Sequence, residues 1–243
     1  MQKIIFYFLF FLIPYFLIAQ KTFYAHFGTS GCLNEVWDAV ELKNQTVLLV
    51  LNKIECQEDS SNNASEIIAI DLNGNKTLVK KFSYTSGELE NIGGIHPLKD
   101  SGFIVTSKLI NSNNAICQFN FYYFDKKFKL IEKKEYQVPN ITNILVFKSH
   151  YEASISTIYF SFNDESFAGY IGSIKQNFSD FKTLKLDNFS VIFEVNLNHD
   201  NSKYIAIRND VYTVDTSLQT FTQKFIATND VDILKLKWFS DKR

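Results

Sequence analysis

Proline occurs three times in this 243-residue chain, methionine once, tryptophan twice and histidine four times. With so little proline, few positions lack the backbone N–H that a sheet ladder needs. There is no excess of either charge: 25 basic residues face 26 acidic ones, for a formal net charge of -1. That balance argues against a nucleic-acid partner, which would call for a basic face to neutralise phosphates. The four histidines, His26, His96, His150 and His199, never recur at the i, i+2 or i, i+4 spacing that brings ligands together on one element. No C-x-x-C pair, no glycine-rich phosphate loop and no G-x-S-x-G elbow occurs, and "FGTSG" (Phe27 to Gly31) reads as a loop after an edge strand. These absences leave the chain with no expected catalytic residue, cofactor or metal ligand.

Aromatic residues, by contrast, are plentiful, with 24 Phe and 12 Tyr. Aromatic and β-branched side chains fit a pleated, half-buried surface, so the composition points to strands and away from disorder. At the N-terminus Lys3 precedes Ile4 to Ile18, a run of 15 uncharged residues, and Ala19 offers a small residue before Gln20. That order is expected of an export leader over residues 1–19, with the mature domain at 20–243. The run is short for a membrane span, which needs about 20 apolar residues; the alternative is an uncleaved anchor. No cysteine follows Ala19 directly, which argues against a lipid-anchored start. The expected location is therefore secreted, periplasmic or on the cell surface, with no membrane span once the leader is removed.

Three cysteines, Cys32, Cys56 and Cys117, leave at least one thiol free or paired with another chain. If "VWDAVEL" and "TVLLVLNKIE" form a hairpin turning near Asn44, Cys32 and Cys56 lie at mirrored positions within reach of a disulfide. Free buried cysteines are the alternative.

The chain repeats itself. "IIAIDLNGNKTLVKKF" (Ile67 to Phe82) has counterparts in "FYYFDKKFKLIEKKEY" (Phe121 to Tyr136), "YIGSIKQNFSDFKTLKL" (Tyr170 to Leu186) and "VYTVDTSLQTFTQKF" (Val211 to Phe225). Each is an alternating strand, a polar turn and a second strand carrying lysine. Asp71, Asp125, Lys175 and Asp215 mark one column, spaced by 54, 50 and 40. A second column, Leu42, Leu98, Phe147, Leu197 and Phe239, places an apolar residue before each of the intervening turns. Each unit then holds four short strands, and the expected fold is an all-β propeller of four-stranded antiparallel blades. The first blade is expected from about Glu35 to Ser83. Four blades are complete, and "DILKLKWFSDKR" reads as the start of an incomplete fifth, as in a truncated product; the alternative is four blades closing alone, with Lys21 to Phe27 and Asp232 to Phe239 at the seam.

Asp71, Asn73 and Asn75 alternate around Gly74 like the opening of a calcium loop. An EF-hand loop needs glycine at its sixth position and glutamate at its twelfth, which here are Lys76 and Phe82. A hairpin in which Asp71 ends the strand with a side-chain turn, and Asn73-Gly74 supplies positive φ, is expected instead. The fourth strands collect Lys80, Lys81, Lys133, Lys134, Lys182, Lys185 and Lys224, which suits solvated blade edges.

"IIAIDLNGNKTLVKKF" followed by "GIHPLKDSGFIVTSKLI" resembles secreted bacterial proteins with degenerate propeller repeats. Such proteins commonly carry adhesive modules and a C-terminal sorting domain, which is absent here. The repeat, the leader and the absence of assembled chemistry together make a non-catalytic exported module for binding or scaffolding the expected function, with a protein or glycan as ligand. The rivals are a secreted hydrolase or lyase with its site at the propeller channel, and an extracellular sensor input domain. His150 and His199 are the only rim candidates, expected in or beside turns, and His96 is expected as a hydrogen-bonded residue near the channel. Trp37, Trp238 and "FNFYYFD" are expected in the core, since packing between blades uses aromatics heavily; a sugar-stacking surface is the alternative.

Overall fold

The computed structural model describes residues 30–54, 63–83, 88–100, 102–111, 116–138, 140–141, 143–166 and 168–186, and the strands at 192–197, 203–207, 210–214 and 221–226. The expected leader, Cys56, His199, Asp215, Trp238 and the residues expected to begin a fifth blade lie outside these. Every described element of regular structure is a strand. Sixteen form four antiparallel sheets of four, each in chain order.

The first sheet holds β1 (Leu33–Glu41), β2 (Val47–Ile54), β3 (Ala64–Ile70) and β4 (Lys76–Ser83). The second holds β5 (Glu88–Pro97), β6 (Phe103–Asn111), β7 (Ile116–Phe124) and β8 (Leu130–Gln137). The third holds β9 (Ile144–Glu152), β10 (Thr157–Asp164), β11 (Gly169–Lys175) and β12 (Lys182–Leu186). The fourth holds β13 (Ile192–Leu197), β14 (Lys203–Ile207), β15 (Asp210–Val214) and β16 (Phe221–Ile226). The first strands pack in succession, β5 against β1 and β9, and β13 against β9 and β10. Sheets that meander outward from neighbouring first strands are propeller-like.

One turn geometry recurs, and it answers the question posed by "DLNGN". Asp71 N donates to Asn75 O at 3.1 Å and Gly74 N to Asp71 O at 2.9 Å, with Gly74 at φ 80°. The Asp71 carboxylate receives the amides of Asn73 and Asn75 and the Asn75 side chain, so its oxygens serve the hairpin. Asp125 repeats the pattern with Lys127 and Lys129, and Phe128 takes the left-handed place at φ 65°. Phe178 (φ 57°) does so after Lys175, and Gln45 (φ 64°) does so after Leu42. This is a three-residue loop closed by one left-handed residue. Only one of these four places carries glycine; at the other three a Cβ is held where it crowds the backbone, at about 1 kcal/mol each.

The lysine-bearing strands β4, β8, β12 and β16 lie at the sheet edges as expected. Lys133 pairs with Glu135, and Lys134 with Glu132 at 3.6 Å, so the edge carries both charges. Two cores fill the seams. Between the first and second sheets lies a mainly aliphatic cluster around Leu48, Val50, Ile67, Ile92 and Val105. Between the second and third it is aromatic, built on Phe119, Phe121, Phe147, Phe160 and Phe162.

Two expectations need correction. Phe147 does not precede a turn: it lies within β9 opposite Phe162, whereas Leu197 is the last residue of β13, opposite Lys203. The turn after β9 is Ala153 to Ser156, because Lys148, Ser149 and His150 continue the strand past the apolar stretch that mimicked its end. Trp37 is no core residue. It is the extra residue of a bulge in β1, between Val36 and Asp38, and is 48% exposed. "FNFYYFD" does enter the core, with Phe119, Phe121, Tyr122 and Phe124 buried.

Candidate functional site

A bulge interrupts the first strand of every sheet: at Trp37 in β1, at Gly93 in β5, between Ile144 and Phe147 in β9, and at Phe193 in β13. An extra residue swings the strand locally and re-aims the side chains that follow. Past the bulge in β1, Asp38 Oδ2 accepts from Ile95 N of β5 at 3.1 Å. Past the bulge in β5, His96 reaches Ser149 of β9, its Nε2 2.7 Å from Ser149 Oγ. Ser149 Oγ also lies 2.6 Å from Thr106 Oγ1 of β6. Gly94 leaves room for this triplet, since a Cβ there would stand 2.7 Å from Ser149 Oγ. His96 is therefore the hydrogen-bonded inner histidine that the sequence predicts. Its partners, Ser149 and Thr106, carry no signal in the sequence: neither sits in a motif, and 53 residues separate Ser149 from His96.

His96 is 6% exposed. Burial, reinforced by the charge of nearby His150, lowers its pKa to about 3. The imidazole is therefore neutral near pH 7. A general base works best with a pKa near the operating pH; this one is far below it. His150 itself is exposed on β9, opposite Tyr159 in the ladder, two residues before the end of the strand and so beside the turn at 153–156. Among the described residues no three His, Cys, Asp or Glu side chains gather as a metal site requires.

Two further polar groups join neighbouring strands. Glu90 of β5, half-buried, accepts on one oxygen from Ser107 Oγ at 2.5 Å, Tyr122 OH at 2.6 Å and Asn120 Nδ2 at 2.7 Å. Three donors on one carboxylate oxygen compensate the charge for leaving water. Lys108 of β6, buried, donates to the carbonyls of Ile144 and Leu145, the latter at 2.8 Å, and so ties the second sheet to the start of the third. Burial lowers its pKa to about 8. Cys117, close enough to feel that ammonium, is free and buried, and burial raises its pKa to about 11. Such a thiol is poorly nucleophilic. Cys32 is disulfide-bonded.

At the turn end of the same seam lies a groove of ≈ 540 Å³. Leu98 and Tyr123 of the second sheet and Ile155 of the third supply its apolar surface. Glu132, Lys175 and Gln176 stand at its polar side. Several bonds hold this lining. Tyr123 OH donates to Asp100 Oδ2 at 3.1 Å, and Tyr151 OH to Gln176 Oε1 at 2.6 Å. Gln176 N donates to Ser156 O at 2.8 Å, joining two turns. One signal for the groove is present in the sequence: Lys175 is the single member of the Asp71 column that is not acidic.

No family model matches the chain, and no curated protein does. Solved structures do. A protein of unknown function from Bacteroides caccae superposes with a TM-score of 0.51 at 10% identity, over 82% of this chain and 62% of that one. At TM-scores below 0.5, the WD40 domain of SCAP from fission yeast aligns at 12% identity over 84% of this chain and 61% of its own. The periplasmic gluconolactonase PpgL of Pseudomonas aeruginosa aligns with a TM-score of 0.43 at 7% identity, over 80% and 70%. At such identities only the fold is comparable. The chain spans about 62% of the length of the Bacteroides caccae protein. Among the described residues no helix is long and apolar enough to cross a membrane.

Proposed function

We propose that this chain is a non-catalytic, exported propeller module that binds a ligand or scaffolds a partner at the cell envelope or surface. The leader-like N-terminus supports export. One observation carries the non-catalytic part: the His96 imidazole is buried and neutral, and it is spent, with the half-buried Ser149 hydroxyl, on joining two sheets. His96, Ser149 and Thr106 fasten strands that belong to different sheets, and a base so weak offers a serine little activation. The proposal includes successive sheets arranged radially as blades and a Cys32–Cys56 bridge.

The full chain, expressed with its leader in a bacterial host, tests this. Recovery outside the cytoplasm, a mature N-terminus at Gln20 and a Cys32–Cys56 peptide under non-reducing digestion are the expected results. Hydrolysis of p-nitrophenyl acetate and of a simple γ-lactone should stay at the level of Ser149→Ala. A turnover that vanishes in Ser149→Ala while the fold persists would establish the rival hydrolase.

A further inference from the structure

The groove between the second and third sheets combines features that point to one ligand chemistry. Its apolar part is the larger share of its surface and includes an aromatic ring, that of Tyr123, whose hydroxyl donates to Asp100. Around it stand groups of both hydrogen-bonding kinds. Lys175 Nζ donates to Thr157 Oγ1 at 3.2 Å and has two further N–H groups. Gln176 gives its carbonyl oxygen to Tyr151, which leaves its amide N–H₂ as the outward donor. Glu132 offers carboxylate oxygens, pairing at the surface with Lys134 at 3.6 Å. One ammonium and one carboxylate in the lining cancel, so neither an anion nor a cation is favoured. A peptide adding itself to the sheet would use an unpaired strand edge, whereas here side chains and turns form the lining.

We infer that this groove is a binding site for a short neutral oligosaccharide, its C–H faces against Tyr123, Leu98 and Ile155 and its hydroxyls bonded to Lys175, Gln176 and Glu132. A sugar presents apolar C–H faces and hydroxyls that donate and accept at once, which is the pairing this lining offers. The lining is also held before any ligand arrives. Gln176 is tied by its side chain to Tyr151 and by its backbone to Ser156, and the Tyr136 hydroxyl bonds the carbonyl of Phe178 just beyond the groove. Pre-ordered groups lose less freedom on binding, which favours affinity from few contacts. The inference rests on the binding-module proposal and names the ligand class and its site.

The test is isothermal titration of the full chain with maltopentaose, cellopentaose and chitotetraose, and with pentalysine and pentaglutamate as charged peptides. At least one oligosaccharide should bind saturably and neither peptide should. Lys175→Gln and Glu132→Gln, both at the surface, should leave the thermal midpoint in place and weaken that binding about tenfold or more, the effect of losing a bond to a charged group. Lys81→Gln, on the edge strand of the first sheet, should bind like the parent. Binding by no oligosaccharide, or stronger binding of a charged peptide, overturns the inference. Oligosaccharide binding that both variants leave unchanged also overturns this groove as the site, while the binding-module proposal stands. Ester hydrolysis that depends on Ser149 would instead overturn the module and leave the groove result to be read on its own.

Discussion

The seam between the first and second sheets and the seam between the second and third do the same job with different materials. The former is filled mainly by aliphatic side chains, with Phe82, Phe103, Tyr122 and Phe124 among them, and crossed by polar ties from Asp38 to Ile95 N and from Lys43 Nζ to Lys99 O, the latter at 2.7 Å. The second seam carries a cluster of tilted aromatic rings, with the Phe119 centroid 4.8 Å from that of Phe162, 4.9 Å from Phe147 and 5.3 Å from Phe160. It is also clasped along its width by His96 and Ser149 on the inner strands, by Lys108 at the start of β9, and by Tyr136 toward the edge. The first strands differ in burial: β5 is buried from Ile92 to His96, while no residue of β1 is buried. The first sheet has a described neighbour on one side only; the second and third are covered on both. The groove lies over the better-fastened seam, where a lining can be kept in place.

The largest test of this contrast removes a ring. Phe119→Ala should cost about 3–5 kcal/mol in urea unfolding, and Val50→Ala in the aliphatic seam about 2 kcal/mol. Equal costs would mean that the seams do not differ in this way.

Acid should act on the second seam through His96. With a native pKa of about 3 against 6.5 in the unfolded chain, only the unfolded state takes up this proton between those values. Stability due to this group is thus intact above pH 6.5 and is lost as pH falls, by about 3 kcal/mol at pH 4. His96→Gln, which keeps a polar partner for Ser149, should flatten the acid limb of a pH series. An unchanged slope would show that His96 takes up a proton equally in both states.

A smaller effect is expected at Gly93. A Cβ there would overlap the Phe147 ring, so Gly93→Ala should cost about 2 kcal/mol by overpacking. The thermal midpoint reads it, and no loss would mean that Phe147 swings aside freely. The smallest change has the opposite sign. Gln45→Gly relieves a left-handed residue on an exposed turn and should stabilise by about 0.5 kcal/mol, after glycine's own entropy is subtracted. Gly74→Ala, at the equivalent place of its own turn, should lose a similar amount.

Much of each sheet is legible in the order of its residues. Strand, Asp-led turn and lysine-bearing edge recur because each depends on groups within about five residues, as Asp71 with Asn73 and Asn75 or Asp125 with Lys127 and Lys129 show. The same local view misplaces Phe147, since an apolar stretch followed by Lys148, Ser149 and His150 looks like a strand ending. It also puts Trp37 inside, since a bulge leaves no mark in a period-two pattern.

By itself, then, the amino-acid sequence determined the four-strand units, their hairpins and their charged edges, all governed by short-range hydrogen bonds and side-chain alternation. The tertiary structure alone decided that His96 meets Ser149, that Lys108 holds the start of β9, and that Tyr123 and Lys175 share one groove. Those pairs lie 36 to 53 residues apart along the chain, and their geometry comes from how one twisted sheet packs on the next, which no local pattern encodes.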